Sequence, residues 1–300
     1  MRYTTYKTNI VLMVEYNPKD WFSLIFKFHK SDTFRKLFPL MVCVALYCTI
    51  VVYIEDVHFP MKSSNVAHSL LGFVISLLLV FRTNTAYDRW WEGRRQFGAL
   101  TNSSRNLALK LSVFLKDNQE LKEHARILIG NYALTITEHL SRKHKYHILE
   151  DCNAYPKSDV IASEHKPNAV AFQIMSFIKS LTDKKLINTD ELLYINNDLN
   201  IYTDVVGACE RIKNTPIPYS YSLFIKKFIF VYIMTIPIFL GHDFGYAIVP
   251  LTTFIFYVLV SIEMIAEEIE DPFNGDSNDL PTSDISQNIR KNVKNIFEMR

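Results

Sequence analysis

Four runs with no Asp, Glu, Lys or Arg constrain this chain more than any other feature of its sequence. They lie in two pairs, at residues 37–54, 66–81, 228–240 and 246–262. A helix that spans a bilayer needs about 20 apolar residues, with about 17 as the lower bound. The first and fourth runs reach that bound alone, and the other two reach it with flanking residues. The pattern predicts an all-α integral membrane protein with four transmembrane helices.

The distribution of Lys and Arg predicts how these helices are oriented. Basic residues cluster before the first run, after the second and before the third, whereas the connectors at residues 55–62 and 241–245 hold a single Lys. Because basic residues accumulate on the cytoplasmic side, both connectors are predicted outside. The N- and C-termini and the long middle of this multi-pass protein are then cytoplasmic.

These boundaries divide the chain into five segments. They are residues 1–36, a cytoplasmic or interfacial segment; 37–81, a first transmembrane hairpin; 82–223, a helical cytoplasmic domain; 224–262, a second hairpin; and 263–300, an acidic cytoplasmic segment and tail. Aromatic residues at 21–28 suit either a helix on the inner leaflet or a core helix of the cytoplasmic region. Pro156 and Pro167 predict a surface loop over residues 151–168.

The composition excludes several classes of function. With 33 basic and 31 acidic residues, the chain lacks the excess of positive charge that nucleic-acid binding requires. The apolar runs contain no Asp, Glu, Lys or Arg, and this absence weakens the case for a pump or a proton-coupled carrier. The histidines are scattered without HExxH spacing, so the chain shows no catalytic apparatus and is not expected to be an enzyme. An oligomeric channel remains, because few helices per subunit must be multiplied to enclose a pore.

The second run is the best candidate for a pore-lining helix. Phe73, Leu77 and Phe81 follow one another at intervals of four residues and so lie near one helical stripe. Rings of such residues can form a hydrophobic gate. Spacing alone favours ordinary helix packing or lipid contact, because every face of a spanning helix is apolar.

Three motifs resemble those of a known family. They read FRTNTAYDRWWEGR at residues 81–94, ACERIKNTPIPYSY at 208–221 and EEIEDPFNGDSNDLP at 267–281. Their order, together with the four apolar runs, resembles the bestrophin family of ion channels in its shorter bacterial branch. The resemblance implies a homopentamer around one pore in the bacterial inner membrane, with other copies of the chain, lipid and small inorganic ions as partners. It places the pore neck at Phe73, Leu77 and Phe81.

The resemblance also implies an inner constriction within residues 187–193. A ring of Asp190 carboxylates would favour cations, whereas Leu192 or Leu193 would form a neutral aperture. The family default is a passive channel for chloride and other anions. A monovalent-cation channel of the same fold and a non-conducting membrane scaffold or regulatory protein are the alternatives.

Eukaryotic members of the family hold calcium in the region that corresponds to the acidic segment. The matching side chains here are Glu268, Asp271, Asp276 and Asp279, whose oxygens suit a hard cation. The family's acidic run is interrupted, however, by Ser277 and Asn278. The alternative is a helix that ends before Pro272, with solvated carboxylates after it. No cofactor is required by this interpretation.

Overall fold

A computed structural model describes residues 32–58, 65–116, 118–142, 144–276 and 278–299. In chain order the α-helices are α1 (Asp32–His58), α2 (Asn65–Phe114), α3 (Gln119–Leu140), α4 (Lys157–Ala162), α5 (Lys166–Asp183), α6 (Thr189–Asn214), α7 (Tyr219–Phe244), α8 (Ile248–Glu270) and α9 (Thr282–Phe297). No β-strand occurs in these ranges, which confirms the expected all-α class. The aromatic stretch at residues 21–28 lies outside the described residues.

The helices form two compact units, which we name by composition. Of the described residues, those in 32–88 and 216–270 form the apolar unit, and those in 89–215 and 271–299 form the polar unit. Helix α2 has residues in both units. It runs for 50 residues, and no proline interrupts it.

The apolar unit contains α1, α7, α8 and the first part of α2. Its core is built from aliphatic side chains, among them Val44, Cys48, Ile75, Ile229 and Ile248. Among the described residues, three helical stretches are long and apolar enough to cross a membrane: Thr33–Asp56, Val66–Phe114 and Tyr219–Glu270. The third stretch contains both α7 and α8, joined by the 3-10 turn Gly245–Ala247. Large apolar side chains are exposed along these helices, as expected of a surface that faces lipid.

The polar unit is built around α3, which packs against α5, α6 and α9. Tyr132 of α3 stacks on Tyr202 of α6 with ring centroids 4.4 Å apart. The Tyr132 hydroxyl donates to the Tyr202 carbonyl oxygen at 2.8 Å, and the Tyr202 hydroxyl donates to Ser104 Oγ at 3.0 Å. These bonds satisfy the phenol groups that the helices bury.

The prediction of a loop over residues 151–168 is wrong in two places. Residues 157–162 form α4, and α5 begins at Lys166. Pro167 lies in the first turn of α5, where its missing N–H costs no hydrogen bond and its fixed φ suits a helix. The Pro that suggested a loop is therefore part of a helix start.

Candidate pore-lining helix and surrounding sites

Helix α2 has one buried face that repeats every three or four residues. Buried residues of this helix include His68, Ile75, Leu79, Arg82, Ala86, Gly93, Phe97, Leu100, Ser103, Ser104, Leu107, Ala108 and Leu111. This spacing is close to the 3.5-residue repeat of packed helices. Within each unit, the packing of α2 therefore fixes which of its faces is exposed.

The three predicted neck residues lie on the outward side of α2. Phe73 is 68%, Leu77 44% and Phe81 55% exposed. The rise of a helix separates Phe73 from Phe81 by about 12 Å along its axis. Beyond Phe81 the helix exposes the polar residues Asn84 and Asp88. The exposed side of α2 is thus mostly apolar over residues 66–81. After them it exposes polar and apolar side chains together, among them Asn84, Tyr87, Asp88 and Trp91.

Arg82 follows the neck residues in sequence but points to the opposite side of the helix. Its side chain is 1% exposed, and Nη2 lies 2.7 Å from Glu270 Oε2. Glu270 Oε1 also accepts a 2.6 Å hydrogen bond from the backbone N–H of Ile217. This carboxylate therefore joins α2, the end of α8 and the segment before α7.

Two of the family-like motifs contact each other in the polar unit. The Trp90 indole Nε1–H donates to the Asn278 carbonyl oxygen at 3.1 Å. A Cβ on Gly93 would lie 3.1 Å from both Phe273 Cζ and Leu280 Cδ1, so an alanine there would require these side chains to shift by a few tenths of an ångström. Through these contacts the first motif packs against the third.

Arg89 closes the C-terminus of α6. Its Nη1 donates to the Thr215 carbonyl oxygen at 2.6 Å, and its Nη2 donates to the Ile212 carbonyl oxygen. A guanidinium at this end of a helix satisfies free carbonyls and complements the helix dipole. The segment with Pro216 and Pro218 separates the two helices, because α6 ends at Asn214 and α7 begins at Tyr219.

The segment predicted to hold the inner constriction is the start of α6. Asn188 caps it: its Oδ1 accepts from the Glu191 N–H at 2.8 Å, while Glu191 Oε2 accepts from the Asn188 N–H at 2.8 Å. Asp190 is exposed in the first turn, where a negative charge is favourable. Leu192 packs against the core of the polar unit, whereas Leu193 is 68% exposed. Asp190 and Leu193 are therefore the exposed members of the predicted set.

The acidic segment buries some of its predicted calcium ligands. Asp279 Oδ2 accepts hydrogen bonds from the backbone N–H groups of Gly275 and Asp276, at 2.7 and 2.9 Å. The Oδ1 atoms of Asp271, Asn274 and Asp279 are buried and have no hydrogen-bond partner among the described residues. Burial raises the pKa of Asp279 to about 6. Sequence reasoning missed Asn274, because an amide adds no charge to the pattern.

The remaining predicted ligands are placed differently. Asp276 is exposed, and Glu268 belongs to the apolar unit, where its Oε1 lies 3.5 Å from Lys36 Nζ. Within the ranges that the structure covers, a group of three His, Cys, Asp or Glu ligand atoms within 4.8 Å of one another occurs elsewhere, and not among these acids. The three buried oxygens are of the type that binds hard cations, but a calcium ion has about six to eight oxygen ligands.

The long apolar helices with exposed apolar faces indicate a helical membrane protein, and sequence comparison gives its family. The profile described as "Bacterial/Fungal Bestrophin protein" matches residues 13–295. The chain belongs to the bestrophin family, which consists of membrane channels and not of enzymes.

Two curated relatives have names that agree with this assignment. A voltage-dependent anion channel-forming protein of Nostoc sp. is 31% identical over 286 residues, covering 94% of this chain and 93% of the relative. The voltage-dependent anion channel-forming protein YneE of Salmonella typhi is 26% identical over 279 residues, covering 92% and 91% of the two chains.

A solved structure shows that the chain has a bestrophin fold. A bacterial bestrophin homolog from Klebsiella pneumoniae superimposes with a TM-score of 0.81 at 23% identity, covering 87% of this chain and 98% of that one. The resemblance read from the three motifs is therefore confirmed.

Proposed function

We propose that the protein is a passive anion channel whose subunits surround one central pore lined by α2. The observation that carries this proposal is the outward apolar face of α2, which contains Phe73, Leu77 and Phe81 opposite the buried face. A subunit with few membrane helices must be multiplied to enclose a pore. The anion-channel names of the two curated relatives support the choice of ion class.

The proposed assembly is a homopentamer in the bacterial inner membrane. Each subunit would cross the membrane four times, with α1, the first part of α2, α7 and α8. Both termini and the domain at residues 82–223 would be cytoplasmic, as the Lys and Arg distribution indicates. Native mass spectrometry in detergent tests this assembly: five chains are expected, and another dominant number would contradict it.

The apolar neck would control whether water and ions can pass. It would not by itself choose between anions and cations. Three apolar rings over about 12 Å can exclude a continuous water column and so gate by dewetting. An anion pathway disfavours a ring of five carboxylates. We therefore place Leu193, and not Asp190, at the inner aperture of the proposed anion channel.

Chloride flux into liposomes tests the neck. Leu77→Ala and Phe81→Ala remove apolar bulk and are expected to increase flux over the wild type. Phe254→Ala is the matched control, because Phe254 of α8 is 63% exposed but lies on another helix. Equal effects of Phe81→Ala and Phe254→Ala would place the neck elsewhere. No flux in wild type or in any variant would favour the scaffold alternative.

A calcium site in the acidic segment is a second candidate, supported by the three buried Oδ1 atoms without partners. We propose that Asp271, Asn274 and Asp279 supply its side-chain oxygens, with backbone oxygens and water completing the shell. Calcium should raise the melting temperature of wild type but not of Asp279→Asn. Asp276→Asn is the control, since Asp276 is exposed. The absence of a calcium effect on wild type would contradict this candidate.

A further inference from the structure

Two histidines and a glutamate from three helices converge in the polar unit. His139 lies in the last turn of α3, His165 is the N-cap of α5, and Glu210 belongs to α6. Glu210 Oε1 lies 2.7 Å from the Nε2 atom of each histidine. The two imidazole centroids are 4.8 Å apart. The fold therefore assembles a cluster that no local sequence spacing reveals.

The three side chains form a ligand set of the kind that proteins use for divalent transition metals. Two imidazoles and one carboxylate hold zinc in known enzymes, with water in the fourth position. Tetrahedral bonds of about 2.0–2.1 Å place ligand atoms about 3.3 Å apart. Each nitrogen–oxygen distance must therefore open by only about 0.6 Å to admit the ion. All three residues are half-buried, which leaves an access path from solvent.

We propose that His139, His165 and Glu210 bind a divalent transition-metal ion of the Zn²⁺ class. The site lies in the polar unit and does not depend on ion conduction by α2. It is distinct in chemistry from the oxygen-rich acidic segment, because imidazole nitrogen suits transition metals whereas calcium and magnesium prefer oxygen.

Metal binding must compete with the hydrogen bonds that the cluster makes without it. His165 Nδ1 accepts a 3.2 Å hydrogen bond from the Asn168 backbone N–H, so the proton of the neutral ring lies on Nε2. When Nε2 binds the metal, that proton moves to Nδ1, which can then no longer accept. Binding is thus coupled to the loss of one cap at the start of α5, a cost of about tenfold in affinity.

The environment of His139 both favours and opposes the ion. The positively charged Lys213 ammonium donates a hydrogen bond to the Leu140 carbonyl oxygen, next to His139 in the chain. The same charge repels a divalent cation, whereas the Glu210 carboxylate attracts it.

Zinc titration of the full chain in detergent tests the proposal. After treatment with a chelator, ZnCl2 is added in competition with a chromogenic zinc indicator. One Zn²⁺ per chain is expected, and His139→Ala and His165→Ala should each weaken binding by at least about tenfold. His147→Ala is the control, because His147 is exposed outside the cluster. Excess Ca²⁺ or Mg²⁺ should not displace the zinc.

Two further measurements distinguish loss of a metal ligand from misfolding of a variant. Co²⁺ bound to wild type should show the visible absorption of a four-coordinate site, which His139→Gln should change while circular dichroism stays unaltered. Amide hydrogen exchange at Asn168 should become faster when zinc binds. No zinc binding to wild type, or unchanged affinity in both alanine variants, would overturn the proposal.

Discussion

The buried ion pair between Arg82 and Glu270 provides a quantitative test of how the apolar unit is held together. Arg82 is 1% exposed, and Nε and Nη1 have no hydrogen-bond partner among the described residues. Glu270→Met would leave this guanidinium buried without its 2.7 Å partner and would remove the acceptor of the Ile217 N–H. Breaking one side of a buried pair costs about 3–5 kcal/mol.

The double variant Arg82→Met/Glu270→Met tests whether the cost of Glu270→Met comes from leaving the Arg82 charge buried without a partner, or only from the contacts that Glu270 itself makes. Replacing both charges with apolar side chains is often near neutral, and only the Ile217 N–H remains unsatisfied, at about 1–3 kcal/mol. The double variant should therefore cost less than Glu270→Met alone. The free energy of unfolding, measured by chemical denaturation in mixed micelles, gives these values.

Glu267→Ala serves as the matched control. Glu267 lies one turn before Glu270 and pairs with Lys226 at 2.8 Å, but both side chains are largely exposed. Such a pair contributes about 0–1 kcal/mol. If Glu270→Met cost no more than Glu267→Ala, or if the double variant were the sum of its single variants, the account of Arg82 as a buried paired charge would be refuted.

Three further predictions concern the polar unit. Gly93→Ala should destabilise the protein by about 1–3 kcal/mol in thermal unfolding, because its Cβ would press on Phe273 and Leu280. Gly207→Ala is the control and should not destabilise, because its Cβ would meet nothing within 4 Å. Equal losses of stability in the two variants would contradict this packing. Asn188→Ala should cost about 1 kcal/mol and accelerate amide exchange at the start of α6; unchanged exchange there would contradict the capping box. Burial alone would raise the pKa of Glu150, but the Arg126 and Arg290 guanidiniums outweigh it and lower this pKa. The stability advantage of wild type over Glu150→Gln, about 1–3 kcal/mol, should be full above about pH 4.5 and lost as pH falls through the lowered pKa; an advantage that persists in acid would contradict this assignment.

The sequence predicts the membrane part of this fold well, because charge-free runs are the direct consequence of a lipid environment. The apolar runs correspond to α1, α2, α7 and α8, and the prolines between α6 and α7 mark a true break. Residues 82–114 were predicted as the start of a separate helical domain, yet they continue α2 without interruption. The change from apolar to charged residues therefore marks a change in surroundings and not the end of a helix.

Long-range contacts are what the sequence could not provide. His139, His165 and Glu210 lie far apart in the chain, so the scattered histidines gave no metal-like spacing although two of them meet at one carboxylate. The side of α2 that carries Phe73, Leu77 and Phe81 followed from periodicity, but only the buried face shows which side points outward. Likewise, Leu192 and Leu193 are neighbours that packing alone distinguishes.

The reversal potential of the purified protein in a planar bilayer under a KCl gradient tests the central claim most directly. It should be measured for wild type and for Leu77→Ala, which widens the proposed neck. A potential near the chloride equilibrium value in both is the result that a passive anion channel predicts. A potential near the potassium equilibrium value would contradict anion selectivity and would place the Asp190 carboxylates in the pathway.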